Sequence, residues 1–319
     1  MLRKILVLAG RDADVGSPAV ARAVQLAERA GSTVVLLGIV YDPHLEGYLG
    51  RQEIYAPLRE RIVAERAERL QALAAALDKR GVRCETKALW ANPAHMAVVR
   101  EAAADDVDLV VVAPEDTRAL SNDEWRLVSV SPSPVLVVRD REVRPYAAVV
   151  AAVDPARSYD KPTDLDDKIL DLAKRLRNLS GASLEVVHCM PPFRSFIAEG
   201  AGALLEAEQA LRAQRQQELE ELLEQAQLPP ESGTLVEGKP ADVLVERSAG
   251  AAPTLLVLGT VQRGPIARLL VGSTAERVLR SDGGDVAVIR PAFVGADAEG
   301  AGDADSARRH VERDPSELE

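Results

Sequence analysis

Residues 255–279 read LLVLGTVQRGPIARLLVGSTAERVL: an apolar run, a glycine-bearing loop, a second apolar segment, and then Gly272-Ser273-Thr274 ahead of a new helical pattern. An uninterrupted aliphatic run bounded by turn residues is what a strand buried on both faces of a parallel sheet requires. At the carboxyl end of such a strand, a glycine loop leading into a helix N-terminus can aim backbone N–H groups at an anion, and a Cβ there would hold the anion away from those donors.

The same kind of run recurs along the chain. In the first half the runs are Ile5 to Ala9, Thr33 to Val40, Val82 to Leu89, Leu109 to Ala113 and Val135 to Arg139. In the second half they are Ala147 to Val153, Ser183 to Cys189, Thr234 to Glu237, Thr254 to Gly259 and Val286 to Arg290. Leu6 corresponds to Val150, Pro93 to Pro240, Ala113 to Gly259 and Val137 to Val288, so the repeat distance stays between 144 and 151 residues. A near-constant distance over five elements marks a duplication. Between the runs lie segments of helical period, such as Ala19 to Ala30, Leu58 to Lys79, Leu165 to Asn178 and Glu206 to Gln227. Alternating β and α with right-handed crossovers predicts two tandem, doubly wound, five-stranded parallel sheets in an α/β chain. Domain boundaries are expected at 1–142 and 145–292, separated near the charged run DREVRP at 140–145.

Composition agrees. The chain has 319 residues with only 3% aromatics, so its core must be Ala, Val, Leu and Ile. Its 39 Lys and Arg against 50 Asp and Glu leave a charge of −11, a balance unsuited to neutralising phosphates of DNA or RNA. Residues 295–319 hold eight acids and three bases without an apolar period, so 293–319 is expected to be a disordered, solubilising acidic tail, leaving −6 on the body. Cys84 and Cys189 cannot form a disulfide framework, and neither has zinc-ligand spacing nearby. The N-terminal apolar run is too short for a signal peptide and no window suggests a membrane span, so a soluble cytoplasmic protein is expected.

On the stretch Gly259-Thr260-Val261-Gln262, nine residues, then Gly272-Ser273, with the Arg263-Gly264 pair between, the sequence resembles the universal stress protein family, whose nucleotide-binding members carry Gly-x-x-Gly, nine residues, then Gly-Ser/Thr. The segments LGIVYDP, DEWRLVSVSPSPVLVVRD and VLGTVQRG carry the likeness to its tandem, two-domain members. The resemblance implies a Rossmann-like fold of the adenine nucleotide alpha hydrolase type and possible ATP binding in the second domain. By position it implies a site of Asp154, Cys189, Gly259, Gly264, Gly272, Ser273 and Thr274. Gln262 stands where the pattern has its second loop glycine. In the first half Ala113 replaces the loop glycine, Asn122 replaces Gly272 and Gly10 replaces the aspartate, so no ATP site of this kind is expected there. In single-domain relatives the last strand mediates dimer pairing, which implies that Val135 to Arg139 and Val286 to Arg290 pair within this chain; a further homodimer and unknown protein partners remain open.

Other signals have simpler explanations. Ser273-Thr274-Ala275-Glu276, like Ser121-Asn122-Asp123-Glu124, reads as a helix capping box. Gly233 to Pro240 nearly matches a phosphate-binding loop but ends in Pro, which better starts a helix. The acidic run 160–167 lacks calcium-loop spacing, and Thr163-x-x-Asp166 reads as a cap. The histidines His44, His95, His188 and His310 are scattered; only His188 approaches the predicted cleft, and it reads as a core or edge histidine. Phe193 to Gly202 could be a lid over the cleft or a surface loop. No catalytic constellation is present. The expectation is a noncatalytic stress-response protein; the alternatives are an ATP-binding switch or weak ATPase using the second domain, or a carrier of an apolar or acyl ligand through Ala198 to Leu205.

Overall fold

The computed structural model describes residues 2–46, 52–116, 119–156, 164–190, 201–250, 252–260 and 272–291. The first half runs β1 (Lys4–Leu8), α1 (Pro18–Ala30), β2 (Thr33–Val40), α2 (Gln52–Asp78), β3 (Cys84–Trp90), α3 (Ala94–Ala104), β4 (Leu109–Val112), α4 (Asn122–Val130), β5 (Val135–Val137). The second repeats it as β6 (Ala148–Val153), α5 (Leu165–Ser180), β7 (Ser183–Met190), α6 (Ala201–Gln225), β8 (Gly233–Glu237), α7 (Pro240–Ser248), β9 (Thr254–Gly259), α8 (Ser273–Leu279), β10 (Asp285–Ile289). The predicted tail 293–319 lies outside the described residues.

All ten strands form one sheet in the order β3-β2-β1-β4-β5-β10-β9-β6-β7-β8. Every pairing is parallel except β5 with β10, where Val137 faces Val286 and Val135 faces Val288 in antiparallel register. The two five-stranded sheets thus join through their last strands into a continuous whole. The aliphatic runs account for this: Val110, Val111, Leu136, Val257 and Ala287 are completely buried, as strands covered on both faces demand. Helices close where the sequence supplies the cap. Gly31 and Gly181 end α1 and α5 in the left-handed conformation, at φ 68° and 72°. Pro240 is the first residue of α7, as the turn reading predicts.

Polar contacts between the halves are as specific as the strand pairing. Asp285, at the start of β10, is fully buried and receives Arg22 Nε from α1 at 3.1 Å. The same carboxylate accepts the Tyr146 hydroxyl at 2.5 Å and the backbone N–H groups of Arg139 and Asp140 at 2.8 and 3.1 Å. The Arg22 guanidinium also lies 3.9 Å from the Tyr146 ring centre. The arginines that follow the two paired strands reach across the junction in the same way. Arg139 donates to the carbonyls of Val278, Leu279 and Ser281 at the end of α8, and Arg290 donates to Val130 O at the end of α4. Cations at helix C-termini complement the carbonyl ends.

Candidate functional site

β6 and β9 are parallel neighbours, so the residues that follow them emerge at one edge of the sheet. Asp154 follows β6, with its side chain 24% exposed. Its backbone N–H donates to the carboxylate of Asp166, in the first turn of α5, at 3.2 Å. Asp166 is 7% exposed; sequence reading missed it because an acid in a helical first turn looks like an ordinary solvated one. Thr163, its expected capping partner, lies outside the described residues.

The neighbouring strand contributes His188 and Cys189 to opposite faces of the sheet. His188 is buried, with Nδ1 3.2 Å from Val153 O and 3.9 Å from an Asp154 carboxylate oxygen. This fixes the Nδ1–H tautomer, while Nε2 is buried with no hydrogen-bond partner among the described residues. Burial holds the imidazole below its ordinary pKa, against the opposing pull of Val153 O and Asp154. Cys189 packs with the cluster under α7 and α8; burial, with Asp154 adding, pushes its thiol up to about 11. Such a thiol is not a nucleophile at neutral pH.

Gly259 ends β9 with no room for a side chain, because a Cβ there would lie 2.8–2.9 Å from Leu165 of α5. Close helix–strand approach is therefore sufficient reason for this glycine. Gly272 is the N-cap of α8, exposing Ser273 and leaving Thr274 half-buried as the first helical residues. The capping box predicted on Ser273 does not form: the helix begins one residue earlier, so Ser273 is its first residue, and Glu276 pairs with Arg280. As the N-cap, the counterpart of Gly272 is Ser121 and not Asn122 as the sequence match has it; the Ser121 hydroxyl accepts from Glu124 N while the Glu124 carboxylate accepts from Ser121 N, a complete box. Gln262, Gly264 and the segment 193–200 lie outside the described residues; the backbone of 201–205 forms the start of α6.

In the first half an internal cation braces the loop at the same edge, beside a cavity of about 360 Å³ that Ala9, Gly10 and Arg11 help to line. Arg66 of α2, 5% exposed, donates to the carbonyls of Ala9, Gly10 and Arg11 at 2.7–2.8 Å. It fits because Gly38 lacks a side chain: a Cβ there would lie 2.4 Å from Arg66 Nε. Among the described residues no group of three or more His, Cys, Asp or Glu side chains could hold a metal ion. No helix there is long and apolar enough to cross a membrane.

The fold and this edge define a duplicated α/β chain of doubly wound sheets, with its candidate ligand loops at the carboxyl ends of the strands. The chain matches the Universal stress protein family over residues 1–139 and again over 146–290, and it belongs to that family. It is 25% identical to Universal stress protein E of Salmonella typhi, and equally to that of Escherichia coli K12, over 302 residues covering 91% of this chain and 95% of theirs. Among solved structures, a functionally unknown protein from Pseudomonas aeruginosa PAO1 superposes with a TM-score of 0.66 at 24% identity, covering 91% of this chain and 93% of its own. A universal stress protein from Archaeoglobus fulgidus superposes at 0.56 with 15% identity, covering 90% and 98%.

Proposed function

We propose that this chain is a noncatalytic stress-response protein, working as two units at 1–142 and 145–292, whose second unit binds an adenine nucleotide while the first does not. The supporting observation is the contrast between Gly272 and Ser121. The N-terminus of α4 is satisfied by its own serine and glutamate, whereas α8 starts at a glycine with no side-chain cap. Both helices follow a strand at the carboxyl edge of the sheet, so the uncapped end faces the same side as Asp154. A phosphate group supplies what the missing cap does not. Asp154 and Cys189 then flank the base and sugar, and Gly259, Gly264, Gly272, Ser273 and Thr274 the phosphates. In the first unit the corresponding loop has Gly10 in place of the aspartate, and Arg66 holds the carbonyls of Ala9, Gly10 and Arg11.

Calorimetric titration of the full chain with ATP and magnesium tests this reading. One site per chain is expected, weakened by Asp154→Ala and by Gly272→Val, tightened by Gln262→Gly, and without phosphate release above buffer. Two sites per chain, no binding at millimolar nucleotide, or indifference to all three substitutions would overturn it.

A further inference from the structure

We propose that the first half carries a separate small-molecule site, a pocket for a planar aromatic carboxylate between Tyr41 and Trp90. The chain has only two Trp, five Tyr and three Phe, so two aromatic rings meeting at one place is a concentrated use of a scarce residue type. Tyr41 directly follows β2 and Trp90 ends β3, where Val40 and Trp90 are register partners. Their ring centres are 5.8 Å apart at an interplanar angle of 57°, forming an open corner at the carboxyl end of both strands. A cavity of about 350 Å³ opens on this corner, lined also by Glu46, Asn92, Met96 and Arg100. That volume lies at the small end of ligand pockets and suits one or two fused rings.

Both rings are held before any ligand arrives. The Arg59 guanidinium, which does not line the cavity, lies 5.5 Å from the Trp90 ring centre, and its Nε donates to Leu45 O at 2.6 Å. The Tyr41 hydroxyl is engaged by the Glu46 carboxylate. A preformed corner loses little conformational freedom when a flat ring enters it. Met96, 47% exposed and one of three large hydrophobic side chains so exposed among the described residues, adds an adaptable apolar wall.

Of the two charged side chains that line the cavity, Glu46 is engaged by the Tyr41 hydroxyl, which leaves Arg100 to select the ligand's substituent. Lys87, on the same strand as Trp90, is held by Glu101 and Asp105 at 2.7 and 2.6 Å. Arg100 makes no ion pair or hydrogen bond among the described residues, so its cation is available to a carboxylate at the pocket mouth. Among the described residues the second half has no such corner: by strand register the counterpart of Trp90 is Glu237, paired with Met190 where Trp90 pairs with Val40. This site is thus not part of the duplicated scaffold, and it is independent of nucleotide binding by the second unit.

The Trp125→Phe variant of the full chain leaves Trp90 as its sole indole, so its fluorescence reports on this pocket alone. Titration with nicotinate is expected to quench that emission to saturation. Nicotinamide, flat but uncharged, is expected to bind about tenfold more weakly, the difference made by one charge-assisted contact. Arg100→Gln in the same background is expected to erase the preference. Calorimetry in the wild-type Trp125 background is expected to show nicotinate binding abolished by Trp90→Ala and retained at reduced affinity by Trp90→Phe, which separates lost stacking from lost folding. Linear, unsaturated quenching by both compounds, or an undiminished nicotinate preference in Arg100→Gln, would overturn the proposal.

Discussion

Arg66 and His188 do the same structural job in the two halves: Arg66 Nη2 donates to Ala9 O at 2.8 Å, and His188 Nδ1 lies 3.2 Å from Val153 O, the corresponding carbonyl of the repeat. By strand register the counterpart of His188 is Gly38, and the missing side chain at Gly38 is the space that Arg66 enters. The halves have therefore solved one problem, an otherwise unsatisfied carbonyl at the carboxyl end of the strand, with a ring from the adjacent strand in one case and a guanidinium from a helix in the other. Removing Arg66 deprives three carbonyls of their donor, and the bond to Ala9 O is buried. Arg66→Ala is expected to lower stability by about 3 kcal/mol in urea unfolding of the full chain. Gly38→Ala, which drives a methyl group against the same guanidinium, is expected to cost about 1–3 kcal/mol. A change below about 0.5 kcal/mol for both would mean that the edge reorganises freely.

His188 gives a pH dependence with a definite sign. Its folded pKa is depressed, mainly by burial, from the ordinary 6.5. Between the depressed value and 6.5 the unfolded chain binds more protons than the folded one, so stability rises with pH there. The contribution is complete above 6.5 and is lost as pH falls through 6.5 toward the folded value. Unfolding curves for wild type and His188→Gln should converge as the pH is lowered from 7 to 5, since glutamine keeps a donor for Val153 O without taking up a proton. Parallel curves across that range would show that His188 is equally titratable in both states.

Much of the architecture is legible in the sequence because each strand is a local signal. Aliphatic runs such as Leu109 to Val112 need no partner to be recognised; the pairing of the two last strands is implied by the family resemblance alone, and its antiparallel sense comes from the structure. Pro240 and the Ser121 to Glu124 box are likewise readable within a few residues. The polar residues that close the structure are not. Arg66 sits in a charge-rich helix whose pattern marks it as solvated, and only its distance to Ala9 and Gly38 in space reveals its burial. Asp285 follows Ser281-Asp282-Gly283-Gly284 and reads as part of a polar turn, yet its partner Arg22 lies 263 positions away. The one-residue slip that makes Gly272 rather than Ser273 the cap is also not legible in the sequence, since both choices satisfy the local pattern.

Cys189 provides a reactivity test of the same burial. With its thiol pushed up to about 11, the thiolate fraction at pH 8 is small, and alkylation by iodoacetamide should be slower than for an unfolded control by about two orders of magnitude. Cys84, also pushed up to about 11 by burial, should behave alike, so a Cys84→Ser variant isolates the Cys189 signal. Rapid modification of Cys189 in folded protein, at the rate of the denatured control, would contradict the packing around the end of β7.

The seam between the halves carries the largest expected effect. Asp285 accepts from Arg22, Tyr146, Arg139 N and Asp140 N, so its removal strands a buried guanidinium and several donors together. Asp285→Ala is expected to cost about 3–5 kcal/mol, and Arg22→Ala nearly as much because the carboxylate is then left without its cation. Replacing both, as Arg22→Met with Asp285→Asn, removes the uncompensated charges, keeps one acceptor oxygen for the backbone N–H groups of Arg139 and Asp140 and turns an amide donor toward the Tyr146 hydroxyl, and should recover part of the loss. Because the two halves share one sheet, single variants should also separate what is otherwise one cooperative transition into two, seen as non-coincident unfolding by Trp fluorescence, whose two reporters Trp90 and Trp125 lie in the first half, and by circular dichroism of the whole. Coincident transitions with undiminished midpoint in Asp285→Ala would show that the antiparallel strand pairing alone couples the halves, and that the buried ion pair contributes position rather than stability.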